Sequence, residues 1–510
     1  MNAQQNYAGT VIGAGPDDGL ARGAAVGRFP LLLSLLLTIA ALRAVALALN
    51  GTDLYMDEAQ YWAWSRDLAL GYFSKPPLIA WIIHGATAVC GESEDCIRAP
   101  SNVLHFLTSI LIYGIGTRLY SETVGFWSAL GYALIPAVSL SSGIISTDVP
   151  LLAAWALALF AFVGLLKGPT ARDTVLLALA IGIGLNAKYA MAYFVLCAAI
   201  YFVAVPEHRP RLRSPHLWLA LAGGIAIIAP NLLWNATNGF VTFAHTADNA
   251  NWRGIPFHPG KAAEFFLAQF GVFGPILFGG LLLIMWRAAS RPPKIENADR
   301  LLLAFSIPII LIVTLQGLAS RAHANWAAPA YVAAIVLVTA VMIRERDWGW
   351  MRASFAIHIA LAIGIAMATW QAGRFSIPRI GDPFARTLGN RELAAEVRNE
   401  ILAAEKNGRP IGAVLTDDRE LAAALAYYAR DLRVPLLSWQ DGDSPRSYFE
   451  MTQPFTPDAP TPLLLVTPRA TSSATKHFAV VTAENNRTIP AGSHATRAVH
   501  LSILDRYVKR

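Results

Sequence analysis

The chain has 510 residues, of which 55% are apolar and only 15% are charged, and its mean hydropathy is +0.43. Soluble domains carry about 25% charged residues, so the composition excludes a chain that is surrounded mainly by water. The formal net charge of +7 does not indicate nucleic-acid binding, because the basic residues fall mainly in short connections between apolar runs. The composition instead predicts a protein that crosses a lipid bilayer many times.

Apolar runs of about 20 residues, each long enough to cross a hydrocarbon core roughly 30 Å thick, recur along most of the chain. Residues 1–28 are rich in Gly and Ala without an apolar core, which predicts a disordered tail. The run 29–50 lacks a small-residue cleavage site, so we interpret it as a retained first helix and not as a removed signal peptide. The predicted spans are 29–50, 97–119, 121–138, 147–166, 173–187, 188–205, 215–235, 262–286, 301–319, 324–343 and 353–371. A short extra span at 78–90, or a broken pair at 173–187 and 188–205, leaves the total at about 11 to 13.

The distribution of Arg and Lys predicts the orientation, since cytoplasmic loops carry an excess of both. One side of the predicted bundle receives Arg22 and Arg28 together with the basic residues of the even-numbered connections. The other side receives few. We therefore expect the amino terminus in the cytoplasm and the carboxyl terminus on the periplasmic side of a bacterial inner membrane.

Residues 372–510 differ in kind from the first 371, because they carry many charges of both signs. A helix-like pattern covers 392–405, and strand-like runs lie at 411–415 and 463–466. The predicted fold class is thus a polytopic α-helical membrane protein with a carboxyl-terminal α/β domain outside the membrane. The predicted domains are the tail 1–28, the membrane domain 29–371 and the periplasmic domain 372–510.

Cysteine placement leaves two interpretations open. Cys90 and Cys96 fall in the first external loop, where disulfides persist because the compartment is oxidising. They are therefore either a disulfide or two buried thiols. Cys197 lies inside a predicted span and is interpreted as packing. No Cys/His group has the ligand spacing of a zinc site, so no metal ligand is assigned.

The first external loop, 52–77, carries the strongest chemical pattern. Asp57 and Glu58 are adjacent, aromatic residues such as Tyr61 and Tyr72 follow them, and Lys75 stands directly before two prolines. Carboxylates at a membrane edge are costly unless they are paired, solvated or functional. The loop therefore predicts a site with a base and a phosphate-binding cation. The alternative is an interfacial aromatic belt with solvated acids.

Other external edges carry similar residues. Asp148 opens a predicted span, either as part of a helix start or as a site carboxylate, and Lys188 lies between two apolar spans, where a lipid phosphate would suit it. Arg253 lies in the third external loop, and His323 and Asn325 lie in the fourth. Acids and cations thus gather on one face of the membrane, which predicts a reaction site there. Because no P-loop and no GxGxxG motif is present, an activated donor carried by a membrane lipid fits better than a bound nucleotide.

Several segments together resemble a known family. The run at 57–84 reads DEAQYWAWSRDLALGYFSKPPLIAWIIH, and further matching pieces lie at 91–103, 146–155, 231–235 and 325–331. The combination resembles bacterial GT-C glycosyltransferases related to protein O-mannosyltransferases, a group that includes the enzyme adding aminoarabinose to lipid A. The resemblance extends over most of 29–371, whereas 372–510 matches only in position and size.

The resemblance implies a function and roles for particular residues. Such enzymes transfer a sugar from a polyprenyl phosphate, with inversion, to lipid A, lipopolysaccharide core or another envelope glycan. Asp57 would be the base or the acceptor-orienting carboxylate, Glu58 its neighbour and Asp148 the second carboxylate. Lys75 and Lys188 would hold the donor phosphate, because cations stabilise a leaving phosphate. A set of further residues is expected to contact the substrates: Tyr61, Tyr72, Arg253, His323 and Asn325. A divalent metal beside the carboxylates is left open.

Four alternatives remain on the sequence alone. A carrier or flippase for lipid-linked sugars would place several charges deep inside its spans, whereas mid-span charge here is nearly confined to Arg43. A protein O-glycosyltransferase would share the donor but not the acceptor. A polysaccharide polymerase or ligase would carry a very large external loop late in the chain. A sensor would bind its ligand through the carboxyl-terminal domain.

Overall fold

The computed structural model describes residues 27–250, 257–290, 296–377 and 381–509, without the side chains of residues 250, 483 and 484. Seventeen helices precede the carboxyl-terminal domain in these ranges: α1 (Arg28–Ala48), α2 (Met56–Arg66), α3 (Leu78–Cys90), α4 (Glu94–Leu119), α5 (Glu122–Leu134), α6 (Pro136–Ser141), α7 (Asp148–Lys167), α8 (Ala171–Ala187), α9 (Ala192–Ala204), α10 (Pro215–Thr237), α11 (Val241–Ala250), α12 (Pro259–Val272), α13 (Pro275–Ser290), α14 (Asn297–Ala304), α15 (Ile307–Ala319), α16 (Ala330–Arg344) and α17 (Trp348–Trp370). The predicted helical membrane fold is confirmed.

The helices differ in how well they fit a bilayer. Within the described ranges, five are long and apolar enough to cross it, namely α1, α7, α10, α14 with α15, and α17. The total becomes six if the bent pair α12 and α13 counts as one span. The remaining predicted spans coincide with helices that miss this criterion, such as α5 and α9 with 13 residues each.

The prediction of one continuous span over 262–286 is wrong. Helices α12 and α13 meet there at a bend of 117°. Gly274 between them has φ +98°, and a Cβ at this position would overlap the His358 ring. Pro275 begins α13, and a proline cannot donate the hydrogen bond that would continue α12. The sequence Gly-Pro therefore breaks the span.

The bundle has a protein-facing centre and a lipid-facing periphery. Helix α7 is apolar on all sides, and 78% of its most apolar stretch is buried, as expected for a helix surrounded by others. The corresponding shares are only 17% for α1, 22% for α10 and 11% for α17. Because these outer helices are also apolar, their exposed side chains are suited to lipid contact.

The carboxyl-terminal domain is an α/β domain. It comprises α18 (Asn390–Lys406), β1 (Ala413–Thr416), α19 (Arg419–Tyr428), β2 (Leu436–Ser438), α20 (Tyr448–Thr452), β3 (Leu463–Thr467), β4 (Phe478–Pro490) and β5 (Thr496–Tyr507). The sheet order is β2-β1-β3-β5-β4, with β1 parallel to β2 and β3, and with β5 antiparallel to β3 and β4. The predicted helix at 392–405 and the strands at 411–415 and 463–466 correspond to α18, β1 and β3.

This domain packs directly on the first external loop. One buried cluster combines side chains of α2 and the following turn, including Trp62 and Trp64, with Tyr427 of α19 and Tyr448 of α20. The rings of Trp62 and Tyr427 meet edge to face at 5.0 Å. Hydrogen bonds reinforce the junction, since the Tyr428 hydroxyl bonds the Leu54 amide at 2.6 Å. The docking places α19 against α2, which carries the acidic pair.

Candidate active site

The first external loop is a folded unit that holds α2 in place. The Tyr72 ring stacks on Trp64 at 4.6 Å between centroids, with the planes 2° apart. The Tyr72 hydroxyl lies 2.9 Å from the carbonyl oxygens of Trp64 and Asp67 and accepts the Ala69 N–H at 3.1 Å. The predicted substrate residue Tyr72 thus lies inside the loop, with its hydroxyl bonded to loop backbone.

Helix α10 supports this loop from the membrane side. Asn231 donates to the Leu70 carbonyl at 2.8 Å and accepts the Tyr189 hydroxyl at 2.8 Å. Gly71 lies against Trp234 so closely that a Cβ would overlap the indole ring. The asparagine motif of 231–235 therefore holds the loop in place.

Glu58 lies in a buried ion pair. Its carboxylate accepts two hydrogen bonds from Arg98, at 2.9 and 2.7 Å, and each side chain is only 2% exposed. The Tyr55 and Ile145 amides donate to the same carboxylate at 2.9 Å each. Arg98 also donates to the carbonyls of residues 52 and 53. This network joins α2, the start of α4 and the turn that leads to α7.

Asp57 has the opposite surroundings. Its side chain is 41% exposed and its Oδ1 accepts a hydrogen bond of 2.6 Å from Arg419 Nη2. The Nε of the same guanidinium donates to Gln60 Oε1 at 2.7 Å. Arg419 is the first residue of α19, so the carboxyl-terminal domain contributes a cation directly beside the exposed carboxylate.

Asp148 is the first residue of α7, where the helix dipole favours a negative charge. Its two oxygens accept from Lys188 at 2.6 Å and from Asn325 at 2.6 Å. The preceding Thr147 forms no side-chain cap. Asp148 is thus bonded to two of the other predicted site residues, which are 40 and 177 positions away in sequence.

Lys75 completes a charged cluster, which we define as Asp57, Lys75, Asp148, Lys188 and Arg419. Burial lowers the pKa of Lys75, and the positive charge of Lys188 lowers it further, while Asp57 and Asp148 oppose the shift. Both carboxylates are already paired with other cations. In the part of the chain that the structure describes, the Lys75 ammonium has no carboxylate within ion-pair distance. A partly buried cation without such a partner is suited to bind an anionic ligand.

The remaining predicted residues lie around this cluster. Tyr61 is only 4% exposed, and burial together with the charge of Asp57 raises its pKa well above the usual value. The His323 ring meets Trp326 at 5.1 Å, and partial burial and two nearby cations lower its pKa. Arg253 lies outside the described residues.

Two further predictions concern cysteines and metals. The structure places a disulfide between Cys90 and Cys96, which connects the end of α3 to the start of α4, with 5.9 Å between the Cα atoms. Within the described ranges, no group of three or more His, Cys, Asp or Glu side chains is placed to hold a metal ion. The carboxylates of the charged cluster are instead bonded to cationic and amide side chains.

A cavity of about 220 Å³ lies beside the site. It is lined by α1, α17, the end of α6 and the turn that follows it, and Glu58 and Arg98 form part of its wall. None of the charged cluster lines it. The buried ion pair is thus the part of the site that borders this mostly apolar cavity.

Arg419 is the member of the charged cluster that the sequence did not predict. It is 362 positions from Asp57 and stands at the start of an amphipathic helix, directly after the capping residue Asp418. That pattern is typical of a solvent-exposed helix end. Only the docking of α19 on α2 brings it to the site, and sequence periodicity does not encode that docking.

The fold has known counterparts. Residues 74–234 match the family model described as dolichyl-phosphate-mannose-protein mannosyltransferase. Two structures of ArnT from Cupriavidus metallidurans, one apo and one bound to undecaprenyl phosphate, align with TM-scores of 0.63 and 0.64. Their identities are 15% and 17%, and each alignment covers 94% of this chain and 98% of theirs. The architecture is that of a GT-C membrane glycosyltransferase.

Sequence relatives define the family more narrowly. The lipid A galacturonosyltransferase RgtD of Rhizobium johnstonii is 32% identical over 85% of this chain and 90% of its own length. The lipopolysaccharide core galacturonosyltransferase RgtA of the same organism is 31% identical over 36% of this chain and 37% of its own. The chain belongs to this family of bacterial GT-C glycosyltransferases and is a multi-pass membrane enzyme, which confirms the resemblance noted in the sequence.

Proposed function

We propose that this enzyme transfers a uronic acid of the galacturonic type from a polyprenyl phosphate to a hydroxyl of lipid A or lipopolysaccharide core. The named relatives RgtD and RgtA transfer galacturonic acid, and the first of them aligns along almost its whole length. The structurally similar ArnT was solved with undecaprenyl phosphate. The single observation that carries the proposal is the charged cluster, in which Lys75 lies beside two carboxylates and has no carboxylate partner of its own among the described residues.

The cations of the cluster suit the donor phosphate. Lys75 would bind the phosphate oxygens directly, and Lys188, held by Asp148, would lie close enough to share the charge that develops on them. Such preorganised cations stabilise the leaving phosphate in the transition state more than in the ground state. Arg253 and His323, which belong to neighbouring external segments, are proposed as further contacts to the donor.

The exposed carboxylate suits the acceptor. In the proposed step the acceptor hydroxyl oxygen attacks the anomeric carbon, and the bond between that carbon and the phosphate oxygen breaks. The electron pair of that bond leaves with the polyprenyl phosphate, and the hydroxyl proton passes to Asp57. One displacement inverts the anomeric centre. Asp57 is the base because it is 41% exposed, whereas Glu58 is a positioning residue because it is 2% exposed and its oxygens accept from Arg98 and two backbone amides.

Asp148, Asn325 and Tyr61 would form the rest of the site. Asp148 fixes the directions of Lys188 and Asn325 by accepting one hydrogen bond from each. The Asn325 side chain is exposed and keeps a carbonyl oxygen that can accept a sugar hydroxyl. The buried Tyr61 would form the floor beneath Asp57. No metal ion is needed in this scheme.

The orientation follows the basic residues. We propose that the amino terminus faces the cytoplasm and that the charged cluster and the domain 372–510 face the periplasm. The site lies at the end of the spans where the carboxyl-terminal domain docks, so both share one side. The membrane domain 29–371 then holds the donor lipid, and residues 1–28 form a cytoplasmic tail.

The test is a transfer assay with purified protein in detergent. Polyprenyl-phosphate galacturonic acid is offered with lipid A, and the wild type is compared with Asp57→Asn and with Asp67→Asn, an exposed acid of the same loop. We expect the first variant to lose transfer by about 100-fold or more, the scale of a lost general base, and the control to retain it. Movement of the lipid-linked sugar across vesicles without transfer would instead support a flippase.

A further inference from the structure

Arg419 offers a binding edge that its contacts within the protein leave free. A guanidinium has five N–H donors in two planar forks, one at Nε and Nη2 and one at Nη1 and Nη2. The first fork is occupied, because Nε donates to Gln60 at 2.7 Å and Nη2 donates to Asp57 at 2.6 Å. Among the described residues no acceptor is bonded to Nη1. The second fork is therefore held in a fixed orientation by the first, with no protein acceptor on Nη1.

The location of this edge suggests its ligand. The Arg419 side chain is 30% exposed and stands beside Asp57, the carboxylate nearest to the proposed reaction. A planar anion of matching width, such as a carboxylate, accepts two parallel hydrogen bonds from a guanidinium fork. Lys75 and Lys188 are point charges without such a fork. They are therefore suited to a phosphate, which can be bound through its charge without a fixed hydrogen-bond geometry.

We propose that Arg419 binds the carboxylate of the transferred uronic acid and so selects an acidic sugar over a neutral one. The inference rests on the proposed function, because it concerns the sugar of that same donor. It gives the carboxyl-terminal domain a specific task, since α19 supplies the group that recognises the sugar. The contact to Asp57 would also keep that carboxylate directed at the same sugar.

The experiment compares two donors that differ only at C6. Polyprenyl-phosphate galacturonic acid and polyprenyl-phosphate galactose are offered with the same acceptor, and kcat/KM is measured for wild type, Arg419→Gln, Arg419→Lys and Arg430→Gln. Arg430 serves as the control because it lies at the same domain junction, against the Tyr427 ring, and pairs with Glu92 instead of Asp57. The readout is the ratio of the two kcat/KM values, which a smaller fraction of folded protein would not change, and Arg430→Gln controls for weakened docking of the domain.

We expect the wild type to prefer the acidic donor and Arg419→Gln to reduce that preference by about 10- to 100-fold, the usual effect of a lost hydrogen bond to a charged group. Arg419→Lys should keep part of the preference, because it keeps the charge without the fork. Arg430→Gln should keep all of it. An equal fall for both donors in Arg419→Gln would overturn the inference and leave the proposed function intact.

Two further outcomes would also overturn it. If the effect of Arg419→Gln depended on a phosphate in the acceptor and not on the donor carboxylate, Arg419 would recognise the acceptor. Acceptors with and without that phosphate separate these cases. If the wild type transferred neither sugar although it bound the donor lipid, the proposed function would fail first, and the inference would fail with it.

Discussion

Two neighbouring carboxylates of α2 lie in opposite surroundings. Glu58 faces inward, where Arg98 and two backbone amides occupy its lone pairs and 2% of the side chain is exposed. Asp57 faces outward, is 41% exposed and pairs with Arg419. Adjacent acids on a helix point about 100° apart because one turn takes 3.6 residues, so one residue can support the site while the next can meet the substrate. Burial and hydrogen bonding, more than position in a motif, therefore distinguish the acid that is enclosed by the protein from the acid that a substrate could reach.

The largest expected effect is the loss of transfer activity on substitution of Asp57. Asp57→Asn should lower kcat for transfer by about 100- to 10,000-fold, because the acceptor proton loses its base. The melting temperature in detergent should change little, since the carboxylate is partly exposed and its pairing contributes little to stability. Steady-state transfer and thermal unfolding on the same preparation separate the two quantities. A large loss of stability would mean that Asp57, like Glu58, mainly supports the fold.

Breaking the buried pair of Glu58 and Arg98 should instead mainly lower stability. Arg98→Met leaves the Glu58 charge buried without a partner, which should cost about 3 to 5 kcal/mol of stability. The double variant Glu58→Gln/Arg98→Met should recover much of that loss, because no buried charge remains. Arg66→Met, which removes an exposed pair with Glu92, is the matched control. Thermal unfolding in detergent measures all three, and equal effects of Arg98→Met and Arg66→Met would contradict the assignment.

The sequence predicted much of this arrangement, for identifiable reasons. Apolar runs predicted the helices, and clustering of scarce lysines and acids predicted that Lys75 and Lys188 would lie near Asp57 and Asp148. Local sequence cannot predict a contact such as that of Arg419, because it depends on how two separate units dock. Local sequence likewise did not show that Tyr72 would be bonded to its own loop. The bend after α12 could have been predicted from the sequence, since Gly274 and Pro275 follow one another there.

A moderate effect is expected at Lys75, the proposed phosphate-binding cation. Lys75→Gln should raise KM for the donor by about 10-fold and lower kcat as well, because a charge-assisted contact to phosphate is lost. Lys261→Gln is the control, since this lysine is exposed on α12 and pairs with Glu264. Initial rates over a range of donor concentrations give both constants. An unchanged KM in Lys75→Gln would assign the phosphate to Lys188 or to another cation.

The smallest effect concerns Asp53, a third acid of the same loop, which lies at the junction with the carboxyl-terminal domain. Burial raises the pKa of Asp53 to about 6, against the opposing hydrogen bond from the Asn390 amide and the charge of Arg391. A carboxyl whose pKa is higher in the folded than in the unfolded chain stabilises the fold most at low pH. That contribution is lost as the pH rises from about 4, the pKa of an unfolded aspartate, to about 6.

Wild type should therefore lose stability relative to Asp53→Asn over that pH interval, by about 1 to 3 kcal/mol at most, and run parallel to it above pH 6. Melting temperatures of both proteins at intervals between pH 4 and pH 7 test this. Asp431→Asn provides a contrast, because the Arg398 pair lowers the pKa of Asp431. Its contribution should instead be lost as the pH falls. Parallel curves for wild type and Asp53→Asn throughout would show that the junction charges balance, and that burial of an acid beside α2 need not make it proton-sensitive.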